Sequence, residues 1–177
     1  MMAKFYRGKF MIKIINAVLL SVSSSMGVEA VSIPETLLPP LGHHQTLRAH
    51  AKGDQIYLCN TVNKAYHWTI QAPDALLLNE HGERIGKHYQ GPIWEYHEVS
   101  QVKGKILQRQ TVTPNDLSWL LVEIIHHRGH SDFSHTRFIN RINTQAGLPP
   151  VTGCDSNHLG AEKRVPYQAD YIFYTTD

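Results

Sequence analysis

From residue 49 onward the chain is a succession of short runs in which every second residue is apolar, separated by clusters of Gly, Pro, Asn and Asp. That period of two predicts strands with one buried face. Gln55–Cys59 is the first such run, and Tyr66, Trp68 and Ile70 then alternate with His67 and Thr69. Asn79-Glu80-His81-Gly82 marks a turn between 76–78 and 84–89, and further strands are predicted at 93–99, 102–108, 120–125 and 138–144. In the last, 166–174, Tyr167, Ala169, Tyr171 and Phe173 share one side. No long segment carries the apolar spacing of an amphipathic helix. Thr113-Pro114-Asn115-Asp116 has the cap and first-position chemistry to open one helical turn before Trp119. The pattern predicts an all-β fold, an antiparallel β-sandwich (jelly-roll-like) or a barrel, with short helical turns. Residues 31–48, proline-rich and without alternation, read as an extended N-terminal arm, and 49–177 as a single β domain.

The first 30 residues follow a different grammar. Lys4, Arg7, Lys9 and Lys13 precede the apolar stretch Ile14–Val22, and Val28-Glu29-Ala30 offers a cleavage site. This is the order of a secretory signal peptide, with cleavage expected near Ala30 and Ser25 as the alternative. Asn16 and the serines at 21 and 23–25 break the run short of the roughly 20 apolar residues of a membrane span. The expectation is a secreted or periplasmic protein with no transmembrane span in its mature form.

Removing that segment changes the charge. Four of the 17 Lys+Arg and one of the 15 Asp+Glu fall within residues 1–30, leaving 13 basic against 14 acidic residues. The basicity of the whole chain belongs to its leader, and no basic stripe of a nucleic-acid binder remains. The expected partner is instead a small molecule or an envelope component. Cys59 and Cys154, an even pair in an oxidising compartment, read as a disulfide, with free thiols or a metal pair as the rival readings. A bridge closing so long a loop contributes about 4 kcal/mol in the chain-entropy picture.

Several stretches together resemble a known family. These include Ala49-His50-Ala51-Lys52-Gly53-Asp54, Ile85-Gly86-Lys87-His88-Tyr89-Gln90-Gly91-Pro92-Ile93-Trp94-Glu95, Phe138-Ile139-Asn140-Arg141-Ile142-Asn143-Thr144, Gly153-Cys154-Asp155 and Arg164-Val165-Pro166-Tyr167-Gln168-Ala169-Asp170-Tyr171. Their order is similar to that of secreted bacterial and fungal proteins grouped as domain of unknown function 3455. The resemblance implies a secreted location and no reaction. It also implies that a histidine at the position of His127 is common in the family, with His126, His130 and His135 as local additions.

Candidate chemistry follows from clusters. All 12 histidines lie beyond residue 30, and His126, His127, His130 and His135 fall within ten residues, a set that offers imidazoles to zinc or copper but matches no zinc spacing. His88, Tyr89, Trp94 and Glu95 around Gly91-Pro92 offer an imidazole, a carboxylate and aromatic faces; the bland alternative puts Trp94 in the core and Glu95 on the surface. With His127 and with His158, which the bridge at Cys154 would anchor, they form the candidate binding set. Arg141, Asn143 and Arg164 are anion-binding candidates or members of ion pairs. No G-x-S-x-G elbow is present, and Glu95 with Asp170 or Glu162 is only a formal glycosidase pair. The leading reading is a secreted ligand-binding or structural β module, and the alternative a metal-binding protein or metal-dependent enzyme using the histidine cluster; whether it is an enzyme at all is left open.

Overall fold

The computed structural model describes Met2 and residues 32–176. The expected signal segment and its cleavage site lie, Met2 apart, outside the described residues. Eight antiparallel strands follow one another: β1 (His43–Val62), β2 (Ala65–Leu78), β3 (Arg84–Tyr89), β4 (Ile93–Tyr96), β5 (Ser100–Gln110), β6 (Trp119–Gly129), β7 (Phe138–Ala146) and β8 (Glu162–Thr176). Each pairs with the next, and β8 pairs back onto β1 from His43↔Thr176 to Leu58↔Glu162, which closes the sheet into a barrel. Of the two architectures the alternation allows, the chain adopts the one without free sheet edges over most of its height.

The inner face carries alternate residues. Ala49, Ala51, Leu77, Val102, Val122, Ile139, Ala169 and Phe173 are all essentially inaccessible, and Trp94 and Tyr171 fill the centre. Small and large side chains alternate around the ring because its bore accommodates only a limited volume. Gly104 illustrates the constraint: a Cβ there would lie 2.3 Å from Val122 Cγ1 and 3.1 Å from Trp94 Cζ3.

A second, outer cluster explains the residues before β1. The short 3-10 turn Glu35–Leu37 lays Leu37 and Ile33 over Trp119, Leu121, Phe138, Ile142, Ile172 and Tyr174 on the outside of β6–β8. Asn140 fixes it, donating from Nδ2 to Leu37 O (2.8 Å) and Leu120 O (3.1 Å). Burial of Leu37 alone contributes about 1.5–3 kcal/mol. The arm is shorter than its composition suggests, since strand structure begins at His43 rather than after residue 48.

Other boundaries differ for identifiable reasons. The run 93–99 is broken by a three-residue turn, His97–Val99, in which Val99 N–H donates to Tyr96 O (3.1 Å) and His97 and Glu98 both have positive φ; the turn carries none of the usual Gly or Asn-Gly marking. Tyr66–Ile70 and Leu76–Leu78 are one continuous strand, and Pro73 is tolerated because that part of β2 has β1 as its only sheet neighbour. The helical turn expected at Thr113–Asp116 is a non-helical turn; helical hydrogen bonding occurs instead at Glu35–Leu37 and Asp132–His135. No helix among the described residues is long and apolar enough to cross a membrane.

Candidate functional site

The two ends of the barrel are finished differently. At the end where β6 passes into β7, the 3-10 turn Asp132–His135 inserts Phe133, stacked on Phe173 (4.4 Å between centroids) and Tyr96 (5.0 Å). At the other end β3 and β4 stop early. Residues 65–74 of β2 pair only with β1, and residues 105–110 of β5 only with β6, so the wall is notched above the β3–β4 turn. A cavity of about 560 Å³ opens there.

Its lining is aromatic and cationic, and its deepest rings belong to the core, Trp94, His88 and Tyr171 being 2, 3 and 1 % exposed. Trp94 and His88, cross-strand partners on β4 and β3, stack with ring centroids 4.3 Å apart and planes 12° from parallel. Tyr171 meets both edge-on, at 5.1 Å from His88 and 5.6 Å from Trp94. Arg141, the cross-strand partner of Tyr171, adds a half-buried guanidinium whose Nε and Nη2 both donate to Ser118 O (3.2 and 2.8 Å). Exposed Arg109 stands on the same wall, which contains no Asp or Glu. Among the described residues no carboxylate lies within ion-pair distance of Arg141.

Burial sets the protonation of these groups. Desolvation of the imidazolium lowers the His88 pKa to about 3, against the hydrogen bond to Ile93 O that favours the charged form, and with the Arg141 cation lowering it further. His88 is therefore neutral at ordinary pH. Its Nδ1–H donates to Ile93 O (2.9 Å), which leaves Nε2 as an acceptor. Burial pushes the Tyr57 phenol up to about 12, the Arg141 charge pulling the other way; its hydroxyl donates to Gly147 O (2.6 Å). The Trp94 indole N–H is buried without a hydrogen-bond partner.

The connection between β7 and β8 borders this cavity through Leu148 and Pro149. It is tied down by a disulfide between Cys59 and Cys154, by the Trp68 Nε1 bond to Thr152 O (2.9 Å) and by backbone bonds between Cys59 and residues 160 and 161. The bridge read from the cysteine pair is present. The face of Tyr66, Trp68 and Ile70, expected to be buried, is largely open: Ile70 is 58 % exposed, and Trp68 and Ile70 line the cavity, because this part of β2 projects beyond the closed ring.

Of the candidate binding residues, the barrel brings together His88 and Trp94. Tyr89 and Glu95 point to the outer face, where the Tyr89 hydroxyl and Gln101 Nε2 both donate to Glu95 Oε2 (2.9 Å each). His127 bonds to Thr136 O (2.7 Å) at the closed end. His158 is exposed on the β7–β8 connection at the opposite end, paired with Asp155 (2.8 Å). Of the six candidates, therefore, only His88 and Trp94 lie together in the core, beside Tyr171, while Glu95 is on the outer surface. His126, His130 and His135 are exposed and, with His127, lie along one strand and one loop; no group of three metal-ligating side chains suited to an ion exists among the described residues. Neighbours on a strand project to opposite faces, so proximity in sequence does not gather them. Arg164 is spent on Asp54 (3.1 Å), Asp74 and Glu162 (3.9 Å), and Asn143 on Asp170 (2.7 Å), which leaves Arg141 as the anion candidate free of carboxylates. That Tyr171 shares a face with Tyr167, Ala169 and Phe173 was legible from alternation, but that this face is the inner one, and its place beside Arg141, depend on closure and register.

The fold and the site define a closed antiparallel β-barrel with a cavity at one end. The chain belongs to the protein family of unknown function DUF3455, whose model matches residues 40–175. No curated protein and no solved structure shows a match to the chain.

Proposed function

We propose that this protein is an exported small-molecule-binding barrel that holds its ligand in the mouth cavity. The observation that carries the reading is the cavity of about 560 Å³ beside a rigid aromatic wall, in a ring whose other end is filled by side chains. Small-ligand sites are concave, mainly apolar and equipped with a few placed polar groups, and an eight-stranded barrel has room for one small ligand. Export is supported by the leader-like sequence of residues 1–30 and by the Cys59–Cys154 bridge, which suits an oxidising compartment.

Binding of the neutral apolar fluorophore N-phenyl-1-naphthylamine tests the reading. The protein is expected to bind it, and Ala72→Trp, which places a large ring on the cavity wall, to abolish binding while the melting temperature stays within a few degrees. Equal binding by both proteins overturns the assignment of the cavity. Recovery of the protein from the cells with its N-terminus still at Met1 overturns export.

A further inference from the structure

The charge of the cavity is one-sided. Arg141 offers five N–H donors, and Ser118 O engages two of them. Arg109 is a second cation, and every other lining side chain is neutral. A cation held half-buried without a counter-charge loses hydration that the two bonds to Ser118 O return only in part. The cavity therefore offers the unused donors of Arg141 and no counter-charge to meet them.

Resting on the small-molecule reading of the cavity, we propose that its ligands are ring-bearing carboxylic acids, bound as carboxylates by Arg141 with the ring against the accessible apolar side of the cavity formed by Trp68 and Ile70. A planar carboxylate matches the guanidinium fork with two parallel bonds. It brings one negative charge, whereas a phosphate monoester brings nearly two to a cavity that is partly dehydrated and has a single inner cation. Flat rings fit because half-buried Trp68, its indole N–H held by Thr152 O (2.9 Å), gives the cavity an accessible aromatic side chain of fixed position. Arg109, exposed at the rim, attracts the anion without fixing it.

The test is calorimetric titration with 2-naphthoate and its neutral analogue 2-naphthamide. The expected result is a preference of about tenfold or more for 2-naphthoate, the scale of one charge-assisted hydrogen-bond pair. Arg141→Met is expected to bind both compounds equally, at the affinity of the neutral one, and Arg109→Gln to keep the preference. Equal affinities in the unaltered protein overturn the carboxylate assignment while the cavity stands, provided Ala72→Trp removes binding of both. Preference retained in Arg141→Met also overturns it. If neither compound binds and N-phenyl-1-naphthylamine also fails, both readings fall. Should Arg141→Met not fold, the comparison of the two compounds on the unaltered protein, with Arg109→Gln, decides the matter.

Discussion

The closed end and the open end of this barrel are made from the same strands, with the same inward alternation, yet one is packed and the other is not. At the closed end the β6–β7 connection supplies an aromatic side chain and a cap: Ser131 Oγ accepts from the Phe133 N–H (3.2 Å), Ser131 Oγ also meets Ser100 Oγ, and Thr175 Oγ1 donates to His135 O (2.7 Å). At the open end the β7–β8 connection is longer and is tethered by a covalent bond, but it supplies Leu148 and Pro149 at the rim instead of a plug. The shortness of β3 and β4 removes two strands' worth of wall there. A loop that inserts a ring closes a barrel, whereas a loop held aside by a disulfide leaves a bore that already contains a cation.

On that contrast, the largest loss of stability comes from emptying the plugged end. Phe133→Ala is expected to cost about 3–5 kcal/mol, since it deletes a ring stacked between two others in a site that cannot collapse. Urea unfolding measures it, and a loss below about 1 kcal/mol would show that the two ends are not differently packed.

The disulfide comes next. Cys59→Ser, or reductant on the unaltered protein, is expected to cost about 2–4 kcal/mol. The sharper readout is local: amide exchange should accelerate over residues 147–161 and stay slow at 131–136, because the bond anchors only the mouth connection. Uniform acceleration at both ends would break the comparison.

How much of this was legible beforehand depends on the range of the interaction involved. That Tyr167, Ala169, Tyr171 and Phe173 share a face could be read from period two, since alternation is a property of the backbone alone, but Ile172 and Tyr174 on the other face are buried too, so the pattern did not say which face is the inner one. The His97-Glu98 turn could not, because neither residue type marks a positive φ. Ring closure, the pairing of Arg141 with Tyr171 and the early end of β3 are matters of register and partner length, which no local pattern encodes. The histidine cluster failed in the opposite sense: it was conspicuous in sequence, yet a strand and a loop spread it over separate faces.

A smaller, pH-dependent effect sharpens the contrast at the stacked pair. His88 is neutral in the folded protein down to about pH 3, whereas an unfolded histidine takes up a proton near pH 6.5. The unfolded chain therefore binds more protons between these limits, and stability falls as pH falls through that window. Asp170 does not confuse the measurement. Burial raises its carboxyl, but hydrogen bonds from Arg48, His50 and Asn143 prevail and hold it below the usual carboxylate range, so its contribution is lost only in stronger acid. Between pH 6 and 5 the unaltered protein should lose about 1 kcal/mol more than His88→Gln, by denaturant unfolding at each pH. Identical slopes would remove His88 from the buried wall.

The smallest expected effect is that of Arg141→Met on the unliganded protein, a change of no more than about 1 kcal/mol in either direction. The substitution forfeits the two bonds to Ser118 O. That carbonyl belongs to a half-buried residue at the rim, so water can take the place of the guanidinium. Against this loss, Met exchanges a half-buried cation lacking a counter-charge for an apolar chain of similar length, and breaks no ion pair in doing so. Arg164 supplies the control within the same barrel, since its guanidinium meets Asp54, Asp74 and Glu162 on the exposed surface. If Arg141 instead held the fold together, its removal would cost several kcal/mol and rival Phe133→Ala, and the open end would have to be counted as packed structure. A stability close to that of the unaltered protein, measured in the same urea series, means that the charge at the mouth is retained for something other than folding.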